Sequence, residues 1–243
     1  MKKFTIHSVK TKLILISILI LIIPLFTLGT FSYYKSVSSL NALGKTNLKN
    51  SVEMTIGMID ALDKEVEKGN LSLEDAQEEV KEAILGEKQP DGTRPINPHV
   101  DLGEYGYLFV VDEQGEQIAS PDLEGENTWE NEDHTGVKTT QVIIKSAQSG
   151  GGFSDYEFPL PDNPDQIEKK VTYSKLDPNW NWVVVSGTYL LDFNKPAKDL
   201  LYYILIVTWI STIISGIVIW LYTNRITKPI KAVTEQMNHL AEG

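Results

Sequence analysis

The sequence predicts an α+β domain between two membrane-spanning helices. Two stretches of this 243-residue chain, residues 13–34 and 200–223, contain no charged residue. Each is long enough to cross the ~30 Å hydrocarbon core of a bilayer as a helix. Between them, helical patterns come first and strand patterns follow. An ordinary soluble globular protein is therefore excluded.

Charge patterning predicts the orientation in the membrane. Residues 1–12 carry four Lys and no acid, and residues 224–243 carry three basic residues against two acidic ones. Because basic residues mark the cytoplasmic side, both termini are predicted to be cytoplasmic and residues 35–199 to lie outside. The first span is predicted to be a retained signal anchor, since its apolar run is long and no A-x-A-like site follows it.

Composition excludes several classes of function. The chain has no Cys, which excludes disulfides, thiolate catalysis and zinc–thiolate sites. Residues 35–199 carry 15 Lys and Arg against 31 Asp and Glu, which argues against a nucleic-acid partner. The four His are far apart and no nucleophile or phosphate-loop motif occurs, so we predict no enzyme, no catalytic residue, no metal and no cofactor.

Two helices are predicted after the first span. The first covers residues 35–68 and carries a heptad stripe, which fits either a face packed on the domain core or a dimer seam. The second starts at the capping residue Ser72 and ends at Gly86. The stripe consists of Leu48, Val52, Thr55, Ile59, Leu62 and Val66.

From residue 105 the pattern changes to strands, and short links favour antiparallel pairing. A loop is predicted over residues 87–104, a helix over 137–149, and a last helix over 189–199 that leads into the second span. Pro159, Pro161 and Pro164 are predicted to confine the link after the third strand to a loop. The five predicted strands are 107–111, 116–119, 153–158, 169–175 and 180–186.

Several ordered motifs resemble the extracytoplasmic single-Cache domain, type 2, over about residues 40–195. They are the run 106–112, Gly115, Ser120-Pro121, the runs 124–127, 133–136, 151–153, 156–159, 170–173 and 180–182, and finally 187–189. The resemblance implies a PAS-like fold in which a long N-terminal helix packs on a five-stranded antiparallel sheet. It also implies a small ligand above the sheet, often a short carboxylate such as acetate, propionate, pyruvate or lactate. One departure is Ser120, where the family usually has His.

The segment after the second span resembles the start of a HAMP linker. Its signature is the run 225–230, followed by a two-heptad seam. The predicted division is a cytoplasmic tail (1–12), a first span (13–34), the sensor domain (35–199), a second span (200–223) and the first HAMP helix (224–243). A HAMP unit needs a second helix, so we expect a longer receptor. The seam residues are Ile226, Ile230, Val233, Met237 and Leu240.

Two cations are candidates for holding an anionic ligand. Arg94 is the single Arg within residues 35–199, and a guanidinium is the best planar partner for a carboxylate. Lys170 opens a predicted strand and matches the Lys of the family. Each could instead be a solvated surface charge. Lys170 and Tyr173 point to opposite faces of a regular strand, so we prefer Lys170 and keep Tyr173 in reserve.

Aromatic pairs recur at strand spacing and could form either core or an apolar cup around the ligand. Tyr hydroxyls in such a cup could donate to a carboxylate. The predicted ligand-binding residues are Arg94, Tyr107, Phe109, Tyr156, Phe158, Lys170, Tyr173 and Trp182.

The predicted function is that of a transmembrane chemoreceptor, and the methyl-accepting chemotaxis proteins are the preferred class. A small metabolite would bind outside, and the second span and HAMP would carry the signal to cytoplasmic partners of an output module. HAMP-linked receptors work as dimers, so a homodimer is expected. The alternatives are the sensor half of a histidine kinase or cyclic-dinucleotide enzyme, and an external interaction module without a small ligand. The sequence does not identify the ligand, the output or the sign of the response.

Overall fold

This computed structural model describes residues 9–241, which form two compact units. One unit is Val37–Lys195, and the other comprises the residues up to Ser36 and those from Pro196 onward. The elements are α1 (Val9–Glu67), α2 (Leu73–Ile84), β1 (Tyr107–Val111), β2 (Gln117–Ala119), α3 (Thr139–Gln148), β3 (Gly152–Leu160), β4 (Asn163–Leu176), β5 (Val183–Tyr189) and α4 (Leu190–Ala241).

The five strands form one antiparallel sheet in the order β2-β1-β5-β4-β3. The predicted α+β class, the long N-terminal helix and the five-stranded antiparallel sheet are therefore confirmed. The central strand is β5, all seven residues of which are buried. Since β5 lies between β1 and β4, side chains from these three strands meet on both faces of the sheet.

One face of the sheet packs against α1. The stripe residues Leu48, Val52, Thr55 and Ile59 are all buried, and the hydroxyl of Ser186 donates to the carbonyl of Leu48 (2.7 Å). The interpretation of this part of the stripe as a core face is confirmed. The dimer seam stays a prediction.

The other face of the sheet packs against α3. The hydroxyl of Ser174 on β4 donates to the carbonyl of Ile143 on α3 (2.9 Å). Lys175, the next residue on β4, forms an ion pair with Glu53 on α1 (2.7 Å). Alternate residues of β4 thus serve opposite faces, as a regular strand requires.

Several predicted strand boundaries are wrong. β3 continues through Pro159 to Leu160 and β4 starts at Asn163, so the proline-rich link is a tight hairpin rather than a loop. Proline is tolerated there because β3 is an edge strand. β5 starts three residues later than predicted, because the carboxylate of Asp177 accepts the N–H groups of Asn179 and Trp180 and holds a turn.

Both α1 and α4 contain stretches long and apolar enough to cross a membrane. Within the unit that contains the residues up to Ser36 and from Pro196 onward, a Cβ at Gly29 would meet the side chain of Ile204. The two helices therefore touch at Gly29. The backbone is helical to Ala241. The predicted tail up to residue 8 lies outside the described residues, as do the side chains of the HAMP seam except Met237. The domain division and HAMP stay predictions.

Candidate functional site

A cavity of about 50 Å³ lies between the sheet and α3. Its wall combines aromatic side chains from β1 and β3, one lysine from β4, and polar side chains from β2, α3 and the connecting loops. The lining residues are Tyr107, Phe109, Gln117, Ser120, Leu123, Thr128, Asn131, Thr139, Thr140, Ile143, Tyr156, Phe158 and Lys170. Five of the eight predicted site residues are therefore brought together: Tyr107, Phe109, Tyr156, Phe158 and Lys170.

Lys170 is the one cation of this wall and is only 1% exposed. Its Nζ donates a 2.6 Å hydrogen bond to the hydroxyl of Tyr107 and lies 3.8 Å from the centre of that ring. The rings of Phe158, Tyr189 and Phe109 follow at 4.8, 5.3 and 5.6 Å. Among the described residues, no carboxylate forms an ion pair with Lys170.

Gly187 on the central strand makes this arrangement possible. It pairs with Tyr107 of β1 on one side and with Thr172 of β4 on the other. A Cβ at this position would lie 3.0 Å from Cε of Lys170 and 2.7 Å from Cγ2 of Thr172. Because glycine has no side chain, the lysine stem can cross β5 and bring its ammonium to Tyr107.

Burial dominates the electrostatics of the cavity. It lowers the pKa of Lys170 well below its ordinary value and raises the pKa of the Tyr107, Tyr156 and Tyr189 phenols. A buried ammonium without an acidic partner is costly, while aromatic faces offset only part of that cost. An anion entering the cavity would supply the missing counter-charge.

Apart from Ser120, the polar wall residues of β2, α3 and the connecting loops were not predicted from the sequence. Gln117 donates to the hydroxyl of Thr128 (2.9 Å), which shares a 2.8 Å hydrogen bond with the hydroxyl of Thr140. Thr139 and Thr140 are the first residues of α3, where backbone N–H groups have no partner within the helix. A helix N-terminus favours an anion nearby. The available signal was the pair of Thr at the predicted start of this helix.

Arg94 is not part of the cavity wall. Its side chain is 1% exposed, and it donates to Glu124 (Nε to Oε2, 2.6 Å), to Glu78 (Nη2 to Oε1, 2.6 Å) and to the carbonyl of Gly86 (3.0 Å). These contacts join α2 to the loop before β1 and the loop after β2. Arg94 is thus engaged in a buried ion-pair network and does not line the Lys170 cavity.

Tyr173 and Trp182 also lie away from the cavity. Tyr173 packs against Phe153 on the α1 face, with ring centres 4.9 Å apart. Trp182 packs edge-on against Trp180, whose indole N–H donates to Asp63 of α1 (2.7 Å). The strand alternation that separates Lys170 from Tyr173 places only the lysine at the cavity.

Two curated relatives resemble parts of this chain. The sensor histidine kinase MctS of Rhizobium johnstonii is 34% identical over 96 residues, which cover 38% of this chain and 21% of that protein. The methyl-accepting chemotaxis protein CtpM of Pseudomonas aeruginosa is 20% identical over 158 residues, 59% of this chain and 28% of that protein. The matched region thus spans between a fifth and three tenths of these relatives.

Solved structures share the fold. A periplasmic sensor domain of a chemotaxis protein superposes with a TM-score of 0.50 at 23% identity, covering 61% of this chain and 96% of that one. A Cache chemosensory domain, described for its recognition of carboxylic acid, superposes with a TM-score of 0.51 at 21% identity, covering 63% and 97%.

The family assignment rests on the extent of the matching region. The Single Cache domain 2 family matches residues 40–202, which include α2, α3 and all five strands. This range also contains every residue of the Lys170 cavity. The chain therefore belongs to the Single Cache domain 2 family of sensor domains.

Proposed function

We propose that this chain is the sensory part of a transmembrane receptor and binds a short carboxylate in the Lys170 cavity. One observation carries the proposal: a fully buried lysine lines the cavity without a carboxylate partner among the described residues. Such a group satisfies its charge best by binding an anion.

The geometry fits a small monoanion. Its carboxylate would accept a charge-assisted hydrogen bond from Lys170 and one from the hydroxyl of Tyr107. The rings of Phe109, Tyr156 and Phe158 would surround its apolar part, and the N-terminus of α3 would favour its charge. A structural neighbour of the same fold is itself described for its recognition of carboxylic acid, which is the ligand class proposed here.

A short path connects the cavity to α4. Lys170 pairs with Tyr189, the last residue of β5, and Leu190 begins α4. The Tyr189 hydroxyl donates to the carbonyl of Pro159, and the side chain of Thr188 donates to Asp192 of α4 (2.7 Å). A ligand that moves Lys170 would therefore change the start of α4. It would shift the receptor between two states only by its difference in affinity for them.

The remaining parts of the receptor follow from the sequence. We propose that α1 and α4 cross the cell membrane, with residues 35–199 outside and both termini in the cytoplasm. Residues 224–243 would begin a HAMP linker in a homodimer and pass the signal to cytoplasmic partners. The relative CtpM favours a chemotaxis output, and the relative MctS supports a kinase output as the second candidate.

Titration calorimetry on the full chain in lipid nanodiscs tests the ligand class. Acetate, propionate, pyruvate and lactate are titrated into wild type, Lys170→Met and Lys169→Met. Lys169 is an exposed neighbour and serves as the matched control. Loss of a charge-assisted hydrogen bond should weaken binding by at least about tenfold in Lys170→Met alone. Equal affinity in the two variants, or no binding of any acid to wild type, would contradict the proposal.

A further inference from the structure

A second recess opens beside the Lys170 cavity. It has a volume of about 160 Å³, against about 50 Å³ for the cavity. The two share Tyr107, Ser120, Leu123 and Phe158 as wall residues, so they adjoin each other across these four side chains. A molecule held at Lys170 could extend into this larger space.

The recess differs from the cavity in its chemistry. Beyond the shared wall and the carboxylate of Asp122, it is lined by Pro121, Pro159, Leu160, Pro161 and Pro164. Proline has no N–H group, so four of these five residues offer no backbone donor. The carbonyl of Pro159 already accepts from the hydroxyl of Tyr189. The wall is therefore apolar and rigid, and it suits a hydrocarbon chain better than a polar group.

The charges orient a ligand across the two spaces. The recess has one charged wall residue, Asp122, which is exposed, whereas the cavity holds the buried Lys170. An anionic group would be repelled near Asp122 and attracted to Lys170. A ligand with one carboxylate and an apolar tail can place its charge at Lys170 and its tail near Asp122. A dicarboxylate would place its second charge on the apolar wall beside Asp122.

We infer that the preferred ligand is a monocarboxylate with an apolar tail of several carbons, whose tail lies in the proline-lined recess. This inference rests on the proposed carboxylate function and narrows its ligand class. Asp122 acts as the residue that excludes dicarboxylates. Acetate and propionate bind in the cavity alone and leave the apolar wall in water.

The test is a chain-length series measured by titration calorimetry on the full chain in nanodiscs. The probes are acetate, butyrate, pentanoate and hexanoate, with adipate as the dicarboxylate, and Lys170→Met corrects for partition into lipid. Affinity should rise about threefold to fourfold for each buried methylene. Pro164→Ser, on the recess wall, should reduce this rise and leave the affinity for acetate unchanged.

Asp122→Lys provides the specificity arm, and Asp165→Lys is its matched control because Asp165 is exposed on β4 but outside the recess. The first variant should bind adipate at least about threefold more tightly than wild type, since an exposed charge is partly screened by water, and the second should not. Acetate binding without any rise along the series would overturn this inference and leave the carboxylate proposal standing. Failure of every acid to bind wild type would overturn both.

Discussion

The Nζ of Lys170 on β4 donates a 2.6 Å hydrogen bond to the hydroxyl of Tyr107 on β1, although β5 lies between these strands. The lysine stem crosses β5 beside Gly187, the direct partner of Tyr107. The hydrogen bond therefore joins three strands on the face that carries the cavity. The position of the cation depends on all three strands and on the absence of a side chain at residue 187.

Lys170→Met is expected to stabilise the ligand-free protein and to remove a pH dependence of stability. Burial lowers the pKa of Lys170, whereas a lysine in the unfolded chain has a pKa of about 10.4. Between these values the unfolded chain binds one more proton, so the wild-type free energy of unfolding rises with pH by up to about 1.4 kcal/mol per unit. Urea unfolding of wild type and Lys170→Met at a series of pH values below the pKa of the unfolded lysine measures the difference in slope.

The groups around Lys170 do not produce the same rise. Burial raises the pKa of Tyr107, Tyr156 and Tyr189, so these phenols stay neutral in the folded state throughout the range. Lys169→Met is the control and should keep the wild-type slope. A Lys170→Met variant that retains the slope would show that the buried amine stays protonated.

Gly187→Ala is expected to weaken carboxylate binding by about tenfold or more. The new methyl group would lie 3.0 Å from Cε of Lys170 and 2.7 Å from Cγ2 of Thr172, so both side chains must move. Overpacking of this kind costs about 1–3 kcal/mol of stability. Calorimetric titration with acetate measures the loss of affinity, and thermal unfolding measures the loss of stability separately.

The double variant Gly187→Ala with Thr172→Ser removes the closer contact and leaves the one with Lys170. It should regain stability while its affinity stays low. Recovery of both stability and acetate affinity would mean that Lys170 can bind the ligand without the open space above residue 187. Gly57→Ala, on α1 with nothing near its Cβ, is the control for the substitution itself.

Asp133→Asn is expected to loosen the loop that leads to the cavity. One carboxylate oxygen accepts the hydroxyl and N–H of Thr135 and the N–H of Val137, and the other accepts the N–H of Glu157 on β3. The hydroxyl of Thr135 contributes most to lowering the pKa of Asp133, and the backbone donors add to it against an opposing effect of burial. Asn131, two residues earlier, is part of the cavity wall.

Because this pKa is lowered on folding, the contribution of Asp133 to stability is fully present above the pKa of the unfolded chain, about 3.9. It is lost as the pH falls through the pKa of the folded state. Hydrogen exchange at neutral pH should show faster exchange of the Val137 and Glu157 amides in Asp133→Asn. Asp155→Asn, at an exposed position on β3, should leave both rates unchanged. Unchanged rates in Asp133→Asn would remove this carboxylate from the support of the loop.

Local periodicity was sufficient to predict the elements of the fold. The heptad stripe of α1 and the alternation in the strands depend on residues close in sequence. In the folded domain, the residues that these two patterns mark as apolar faces are the ones that pack together. The prolines misled the prediction because their effect depends on whether a strand lies at an edge of the sheet, as β3 does. Strand order is a property of the whole chain and is not encoded in the local pattern.

The site was predictable in part for the same reason. The pairs Tyr107 with Phe109 and Tyr156 with Phe158 share strand faces. Strand alternation showed that Lys170 and Tyr173 could not both face the cavity, and the match of Lys170 to the Lys of the family decided between them. Arg94 illustrates the limit, because its partners Glu78 and Glu124 are 16 and 30 residues away. A lone arginine in a polar loop does not reveal whether an acid from a distant element reaches it.

Arg94→Met is expected to be among the most destabilising single changes in the domain. It would leave the nearly buried Glu124 with one exposed partner, Lys88, and would remove the hydrogen bond to the carbonyl of Gly86. Removing one partner of a buried ion pair costs about 3–5 kcal/mol. Urea unfolding measures this loss of stability.

Glu78→Gln is the matched control, because the Glu78 side chain is 41% exposed and its ion pair with Arg94 is screened by water. Its expected cost is at most about 1 kcal/mol. Arg94→Met should also weaken acetate binding, since Glu124 belongs to the loop that brings Ser120 and Leu123 to the cavity wall. Equal stability of the two variants would show that the loop is held by its backbone contacts, such as the 2.9 Å hydrogen bond from the N–H of Arg94 to the carbonyl of Pro121.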